Sequence, residues 1–348
     1  MTDILEELDL PWSDSRSGES VTVIIPTYNG SNFIEETIRS VFSQSRPPDQ
    51  LIIVDDKSTD DTIDIVKALQ TASPIPLMIV VRSENSGGPV QPLKAGIELA
   101  TSDWIAFLDQ DDTWSAGRIE TLLLAVRLRD SIKVVFNEVR SLRLDGSVDS
   151  IKSADPDVFL GELGDRVSDF VYIIRGSSLM HWIIKNSNIV HTASSLMVRR
   201  ATLIANCMPD LDYTICWDVD LICKICLKED FLFVRKAMTF HRLHSNNLSG
   251  NDGIEPREMN SIRTKLLPLL GDNANASDIR LQIIDYWTSV THTAANNGQC
   301  GSAWLAVVRL RELNCSFYDC VMLAKTLLAG MIRFHFKKII HPPKNRRS

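Results

Sequence analysis

The sequence predicts an α/β protein whose sheet is open, doubly wound and mostly parallel, with helices on both faces. Three observations support this prediction. Four short apolar segments recur between residues 21 and 108, segments with a helical spacing of apolar residues separate them, and polar loops follow each apolar segment. Strands that are apolar throughout and alternate with helices are typical of a parallel sheet covered on both sides.

The predicted elements of the first half follow one another in regular order. Apolar residues recur at helical spacing over 33–42, from about residue 60, and again up to residue 99, and a further helix is predicted over 115–130. The predicted strands, the first of which ends at Pro26, are VTVII (21–25), LIIVDD (51–56), LMIVV (77–81) and WIAFL (104–108).

Residues 133–245 mix strand and helix signals. Strands are predicted at 133–139 and 194–200, a helix at 217–227, and a final pair of strands within 231–240. This half is therefore expected to add further strands and at least one helix to the fold.

The C-terminal part differs in pattern. From about residue 255 the chain is helical with few β-branched runs, which predicts an α-helical appendage, and the stretch before it, 245–253, is rich in turn-forming residues. The predicted organisation is an N-terminal extension (1–20), a main domain (21–250, with halves 21–125 and 126–250) and a helical region (251–348).

Composition excludes some classes of protein. A chain of 348 residues with 44% hydrophobic residues can bury a core, and its net charge of −7 argues against a protein that binds nucleic acid. The first twenty residues are acidic and lack a basic segment followed by an apolar core, so we expect no secretory signal and a cytoplasmic protein. No apolar run reaches the roughly 20 residues that a transmembrane helix needs.

Polar segments follow all four predicted strands of the first half. Ligands of open α/β sheets bind at the carboxyl ends of the strands, so these segments are expected to form a site. They are PTYNG (26–30), DDKSTDD (55–61), NSGGP (85–89) and DQDD (109–112).

DQDD places three carboxylates within four positions directly after an apolar strand. Crowded carboxylates need a compensating cation, and oxygen ligands select a hard ion such as Mg²⁺ or Mn²⁺, which keeps coordination positions for phosphate oxygens. The alternative is that Asp111 or Asp112 caps the helix predicted over 115–130. The segment alone favours neither interpretation.

DDKSTDD and PTYNG also allow two interpretations each. Asp55 or Asp56 could accept a hydrogen bond from a nucleobase N–H or a ribose hydroxyl, as acidic residues at strand ends do in nucleotide-binding folds. Asp60 and Asp61 are better explained as capping and helix-dipole residues. Tyr28 either stacks on a base or packs against the protein.

In this order and spacing, the motifs over 21–125 resemble the nucleotide-binding half of a family 2 glycosyltransferase with the GT-A fold. HTASSLMVRRATL (191–203), WDVDLICKI (217–225) and HRLHSNNLS (241–249) are similar to the acceptor half, so the resemblance covers about 21–250. Four separate motifs agree in the first half, which makes the match specific.

The resemblance implies roles for individual residues. Pro26, Tyr28 and Asp56 would line the site of the nucleobase and ribose. His244 lies where the family often places a late loop residue near the diphosphate. Asp218 matches the family's catalytic base.

The DxD region of the resemblance falls on Asp109, Asp111 and Asp112, which implies a divalent metal, Mg²⁺ or Mn²⁺, as cofactor. Asp111 and Asp112 are expected to serve the metal and the donor diphosphate, with Asp109 nearer the ribose or sugar of the donor. The chain departs from the family where Leu93 and Lys94 replace an Arg-Asn pair. The basic contact to the donor is therefore expected from Lys94 or is missing.

The helix predicted at 217–227 carries two aspartates. Asp218 and Asp220 would point about 200° apart on a helix, so only one is expected to face the site. Asp220 is expected to pair with Lys224 one turn later. Trp217, which replaces an acidic residue of the family, either stacks on the acceptor or, as we expect, belongs to the core.

The resemblance implies an inverting, metal-dependent glycosyltransferase acting in envelope polysaccharide, lipopolysaccharide or exopolysaccharide assembly. It would move one sugar from a nucleotide-diphosphate sugar to the hydroxyl of a glycan or lipid-linked acceptor, because no QxxRW motif of processive synthases follows. One alternative is a sugar-phosphate nucleotidyltransferase, against which the lack of a Gly-rich phosphate loop speaks. The other is a noncatalytic carbohydrate- or partner-binding protein of the same fold.

The end of the chain reverses the sign of the overall charge. Residues 319–340 combine apolar residues with Lys and Arg, and PPKNRRS (342–348) adds further positive charge. A basic, amphipathic end can lie on an anionic membrane, which would place the protein at the inner face of the cell membrane, beside lipid-linked acceptors. The alternative is a packed helix with a solvated tail.

Overall fold

The computed structural model describes residues 18–151, 155–185, 188–245, 247, 254–270 and 274–296. The chain forms two compact units, Met1–Asn251 and Asp252–Ser348. The first unit contains the sheet and all of the polar segments that follow the predicted strands.

The first half of the larger unit has the predicted βα alternation. The elements are β1 (Val21–Thr27), α1 (Ile34–Phe42), β2 (Gln50–Asp55), α2 (Thr62–Thr71), β3 (Leu77–Val81), α3 (Val90–Leu99) and β4 (Trp104–Phe107). The strands β1 to β4 lie in the order β3-β2-β1-β4 and are parallel to one another. Their carboxyl ends therefore meet at one edge of the sheet, which confirms the α/β architecture.

Strand β1 continues through Pro26 to Thr27 instead of ending before the proline. Proline lacks the N–H that a central strand normally donates. On the side of β1 that faces β4, the carbonyl of Ile24 accepts a hydrogen bond from the backbone N of Leu108. Ile24 is also the last residue of β1 that pairs with β4. Pro26 lies two residues further along, so its backbone nitrogen faces the same side, beyond the end of β4. The missing N–H of this proline therefore removes no hydrogen bond between the strands.

The second half extends the same sheet. Its elements are β5 (Thr113–Trp114), α4 (Arg118–Arg127), β6 (Val134–Leu142), β7 (Val148–Ser150), α5 (Pro156–Leu163), β8 (Gly164–Arg166), β9 (Val171–Ile174), α6 (Gly176–Lys185), β10 (Leu196–Arg199), α7 (Arg200–Asn206), α8 (Trp217–Cys226) and β11 (Phe231–Arg242). The strands continue the sheet in the order β10-β6-β11-β9-β8. Strand β10 lies between β4 and β6 and runs antiparallel to both, so it joins the two halves.

Strand β11 is one strand of 12 residues, and the predicted final pair of strands is wrong. It pairs in parallel with β6 and shifts register between Val234 and Ala237 and again between Ala237 and Thr239. Bulges of this kind bend a strand without ending it. As a result the strand reaches the same edge as DQDD, where it places His241 and Arg242.

The core is formed by the apolar faces of the strands and the helices that cover them. Val23, Ile25 and Ile53 are fully buried, as expected for strands covered on both faces. Helix α3 approaches β1 closely at Gly96, where an added Cβ would lie 2.5 Å from Cγ2 of Ile24. A side chain at that position would force the helix away from the sheet.

The described part of the second unit is helical, with α9 (Glu255–Leu266) and α10 (Ala274–Asn296) joined through a short 3₁₀ turn, Leu267–Leu269. Within the described ranges, none of the helices combines the length and apolar character needed to span a bilayer. The basic segment 319–348, for which membrane contact is expected, lies outside the described residues.

Candidate active site

A cavity of about 580 Å³ opens at the carboxyl ends of β1, β2 and β4. Elements of both halves of the sheet unit line it. Of the residues predicted from the sequence, the cavity brings together Pro26, Tyr28, Asp56, Asp109, Asp111, Asp218 and His244, whereas Lys94 and Asp112 are not among the residues that line it.

Tyr28 lies at the mouth of the cavity with 44% of its surface exposed, so it does not pack into the core. Gln110, the middle residue of the DxD region, fixes the backbone around it. Its Oε1 accepts from Tyr28 N at 2.9 Å and from Thr27 Oγ1 at 2.7 Å, and its Nε2 donates to Tyr28 O at 3.2 Å. Gly30 leaves the room for this amide, since a Cβ there would lie 2.4 Å from Oε1.

Asp56 lines the cavity, but its carboxylate is already engaged. Oδ2 accepts from the backbone N and the Oγ of Ser86, both at 2.8 Å, and Oδ1 lies 2.8 Å from Nε of Arg82 in an ion pair that is poorly aligned as a hydrogen bond. Asn85 also donates to the Asp56 carbonyl at 3.0 Å. Asp56 therefore holds the NSGGP loop against the end of β2.

Asp109 is held by the segment before β10. Its Oδ2 accepts from Thr192 Oγ1 at 3.0 Å and from Ser194 Oγ at 3.3 Å, and its backbone N donates to Ser194 Oγ at 2.9 Å. The side chain still lines the cavity. Local sequence patterns could not predict this contact, because Thr192 and Ser194 are more than eighty positions away from Asp109.

Asp111 meets the segment that follows β11. Its Oδ2 lies 2.8 Å from Nε2 of His244, and its carbonyl accepts from Nε of Arg242 at 2.9 Å. The His244 ring stacks on Phe33, with the ring centroids 4.7 Å apart. His244 thus lies at the DxD region, next to the helix that follows PTYNG.

Asp112, which is expected to bind a metal, is fully buried and is not among the residues that line the cavity. Its Oδ1 lies 3.1 Å from Nδ1 of His241 and accepts from Arg242 N at 3.0 Å, while Oδ2 lies 3.3 Å from Thr192 Oγ1. These contacts make it the anchor of the end of β11.

The alternative that Asp111 or Asp112 caps the following helix is wrong. That helix, α4, begins at Arg118, and its N-cap position is Gly117 with no side-chain cap.

Burial and mutual repulsion make the carboxylates of the DxD region unequal. Burial, with the charges of Asp112 and Asp111, raises the pKa of Asp109 to about 7. Burial, with the charge of Asp112, also raises the pKa of Asp111, although the hydrogen bond from His244 opposes this. Burial disfavours the charged form of Asp112 too, but the hydrogen bond and charge of His241 outweigh it, so its pKa is lowered.

Two partly buried histidines beside this cluster differ in charge. Burial works against a charge on His241, but its hydrogen bond to Asp112 prevails and raises its pKa to about 9. Burial, with the nearby charge of His241, lowers the pKa of His191 to about 4. The rings meet edge to face at 5.2 Å, and His191 has a left-handed backbone with φ of 62°. His241 is therefore charged and His191 neutral near pH 7.

Asp218 lines the opposite part of the cavity, at the start of α8. Asn188 Nδ2 lies 3.4 Å from its Oδ2. The predicted pairing of Asp220 with Lys224 is confirmed, with Oδ2 and Nζ 2.6 Å apart, so only Asp218 of the two aspartates reaches the cavity. Trp217 is 5% exposed, as expected for a core residue, yet it also forms part of the cavity wall.

The cavity has an acidic lining. Its described lining includes the carboxylates of Asp56, Asp109, Asp111 and Asp218 and contains no Lys or Arg. Leu93 is buried where the family has arginine, and the cavity does not include Lys94. The protonated side chain of His241 also lines the cavity, but it pairs with the buried carboxylate of Asp112, so a bound diphosphate would need further positive charge from another source.

The carboxylate oxygens near the DxD region suit a hard divalent cation whose remaining ligands are substrate oxygens. Asp109 and Asp111 offer carboxylate oxygens only, which suit Mg²⁺ or Mn²⁺. Among the described residues, no group of three or more His, Cys, Asp or Glu is placed to hold an ion. Two carboxylates match the way Mg²⁺ is usually held, with phosphate oxygens and water as its other ligands.

The fold and this site define a GT-A type α/β protein with its carboxylate pair after the fourth strand. The chain belongs to glycosyl transferase family 2, whose family model matches residues 22–203. The structure of S. aureus TarS 1-349 in complex with UDP-GlcNAc superposes with a TM-score of 0.60 at 17% identity, covering 90% of this chain and 89% of that one. This likeness confirms the predicted fold.

Two bacterial relatives match the chain over part of its length. The teichuronic acid biosynthesis glycosyltransferase TuaG of Bacillus subtilis is 43% identical over 103 residues, which is 30% of this chain and 40% of TuaG. The UDP-Glc:alpha-D-GlcNAc-diphosphoundecaprenol beta-1,3-glucosyltransferase WfaP of Escherichia coli is 28% identical over 146 residues, 42% of this chain and 55% of WfaP. The chain thus matches between 40% and 55% of the length of these relatives.

Proposed function

We propose that this protein transfers one sugar from a UDP-sugar to the hydroxyl of an acceptor, with inversion at the anomeric carbon and with Mg²⁺ or Mn²⁺ as cofactor. The observation that supports this most strongly is the acidic cavity. Its described lining includes both Asp109 and Asp111 and contains no Lys or Arg. A divalent cation would offset the repulsion between these carboxylates and an anionic nucleotide diphosphate.

The donor end of the cavity suits a nucleotide. Tyr28 is exposed at the mouth and can stack on a base, while the backbone around it is fixed by Gln110. Asp56 orders the loop on the far side of the same space. Uridine is proposed as the nucleoside because the superposed TarS structures contain UDP or UDP-GlcNAc.

Asp109 and Asp111 would hold the metal, which supplies positive charge to the leaving diphosphate when bound. Asp218 is proposed to accept the proton of the attacking hydroxyl. Nucleophilic attack by that hydroxyl on the face opposite the leaving group inverts the anomeric carbon in one step.

The acceptor is proposed to be a glycan or lipid-linked glycan of an envelope polysaccharide. Support comes from the named relatives, of which WfaP is named for a diphosphoundecaprenol-linked acceptor and TuaG for teichuronic acid biosynthesis. The polar, partly aromatic wall formed by His191, Thr214 and Trp217 gives the acceptor side room for hydrogen bonds and sugar stacking.

The test is a binding screen followed by a transfer assay. UDP-sugars should raise the unfolding temperature in the presence of Mn²⁺ and have little effect after chelation. If no UDP-sugar stabilises the protein with Mn²⁺ present, the donor proposal fails. Pyrophosphate release from a nucleoside triphosphate and a sugar phosphate would instead identify a nucleotidyltransferase.

Asp218→Asn separates binding from chemistry. The variant should keep UDP-sugar binding and lose about 10²- to 10⁴-fold in transfer rate, the usual range for a general base. Asp64→Asn, on the exposed face of α2, is the matched control and should transfer normally. Full transfer by Asp218→Asn would remove Asp218 from the base role, and binding without transfer by the unaltered protein would support a noncatalytic protein.

A further inference from the structure

The segment 188–195, which precedes β10, lies under the carboxylates of the cavity. Thr192 Oγ1 lies 3.0 Å from Oδ2 of Asp109 and 3.3 Å from Oδ2 of Asp112, and it accepts from Ser194 N at 3.2 Å. A hydroxyl has a single proton to donate. The contact to Asp109 is the shorter of the two, so we assign the Thr192 proton to it; His241 and the backbone N of Arg242 contact the other oxygen of Asp112, Oδ1.

Ser194 completes the arrangement from the other side. Its Oγ accepts from the backbone N of Asp109 and lies 3.3 Å from the same Oδ2 that Thr192 contacts. Both hydroxyls therefore meet one oxygen of the carboxylate. Among the described residues, no hydrogen-bond donor contacts the other oxygen, Oδ1.

We propose that Thr192 and Ser194 are positioning residues that fix the Asp109 carboxylate by Oδ2 and leave Oδ1 for the divalent cation of the donor site. This inference rests on the proposed function. Neutral hydroxyls can hold an anion without supplying the charge that a metal must supply, whereas Lys or Arg in their place would compete with the cation. Without the two hydroxyls, repulsion from the charges of Asp111 and Asp112 would favour an Asp109 side chain that is turned away or protonated.

The test measures Mn²⁺ binding itself, by electron paramagnetic resonance of free Mn²⁺ during titration of the full chain, alone and with UDP. Thr192→Val keeps the shape and removes the hydroxyl, and it should weaken Mn²⁺ binding about 10- to 100-fold, the range for outer-shell partners of metal ligands. Thr192→Ser keeps the hydroxyl and should bind within about threefold of the unaltered protein. Thr121→Val, a buried threonine whose hydroxyl bonds only the Gly117 carbonyl among the described residues, is the matched control.

A second variant separates positioning from helix capping. Thr192 also caps the 3₁₀ turn Ala193–Ser195 by accepting from Ser194 N. Ser194→Ala leaves that cap in place and removes the other hydroxyl, so it should also weaken Mn²⁺ binding, by about tenfold. This variant provides the test if Thr192→Val does not fold.

The outcomes distinguish this inference from the proposed function. Tight Mn²⁺ binding by the unaltered protein, with equal binding by Thr192→Val or by Ser194→Ala, would overturn the positioning role alone. Weaker binding by Thr192→Ser than by Thr192→Val would assign the effect to packing of the methyl group and overturn it as well. If the unaltered protein binds no Mn²⁺ with or without UDP, the metal-dependent function fails, and this inference fails with it.

Discussion

Replacing Asp111 and Asp112 one at a time by alanine should give opposite results, although the two aspartates are adjacent in the chain. Asp112 is fully buried and bonded to His241 and to the backbone N of Arg242. Asp111 keeps 16% of its side chain exposed and lines the cavity. We expect Asp112→Ala to lose stability and Asp111→Ala to lose metal binding.

The magnitudes follow from what each substitution leaves behind. Asp112→Ala leaves a partly buried, charged imidazole and a backbone N–H without their carboxylate partner. Removing one partner of a buried pair costs up to about 3–5 kcal/mol of the free energy of unfolding. Asp111→Ala removes one contact to His244 but also relieves repulsion within the DxD region. The net change should stay within about 1 kcal/mol.

Urea unfolding of both variants gives the stability change, and Mn²⁺ titration in the presence of UDP gives the binding change. Asp111→Ala should bind Mn²⁺ at least about 100-fold more weakly, since it removes a ligand and not merely an outer partner. Equal losses of stability in the two variants would refute the reasoning. A folded Asp112→Ala that binds Mn²⁺ more weakly than Asp111→Ala would refute it too.

Three further predictions concern the pH dependence of stability, Tyr28 at the mouth of the cavity and the packing of α3 against the sheet. The stability that the Asp112–His241 pair provides should be complete between the ordinary pKa values of the two side chains, 3.8 and 6.5, and should fall as the pH rises through about 9, because folding raises the pKa of His241 from 6.5 to about 9. It should also fall as the pH drops below 3.8, because folding lowers the pKa of Asp112. A pH series of urea midpoints for the unaltered protein and Asp112→Ala checks both signs. Tyr28→Ala should weaken UDP binding by about 1–3 kcal/mol, measured by calorimetry, while Tyr28→Phe keeps the stacking and the affinity. Gly96→Ala should lower the free energy of unfolding by about 1–3 kcal/mol because of its close approach to β1, whereas Gly161→Ala, with open space around it, should not.

Local patterns were enough to predict much of the site. The position of DQDD after the fourth strand follows from the βα alternation, because the carboxyl ends of parallel strands share one edge. The 3.6-residue period of a helix predicted that Asp218 and Asp220 diverge and that Lys224 pairs with the latter. The first inference uses only the order of strands and helices along the chain, and the second uses residues about one helical turn apart.

The roles within the DxD region could not be predicted, because they depend on distant strands. Asp112 is removed from the cavity by His241 and Arg242, which lie at the end of a strand about 130 positions later. Thr192 and Ser194 contact Asp109 only because β10 inserts beside β4. Neither residue belongs to a sequence motif that predicts a carboxylate as its hydrogen-bond partner.

The place of β10 in the sheet also limits how this chain can be divided. Strand β10 covers the edge of β4, although it comes much later in the chain. Strand β11 comes later still and supplies His241, the positively charged partner of Asp112. A fragment ending at residue 125 would contain all four recognisable motifs of the first half, yet it would expose an unpaired strand edge and a buried carboxylate without its imidazole. The half that carries the motifs therefore cannot be exchanged as an independent unit. A chimera that joins a new acceptor half to it must also carry strands equivalent to β10 and β11.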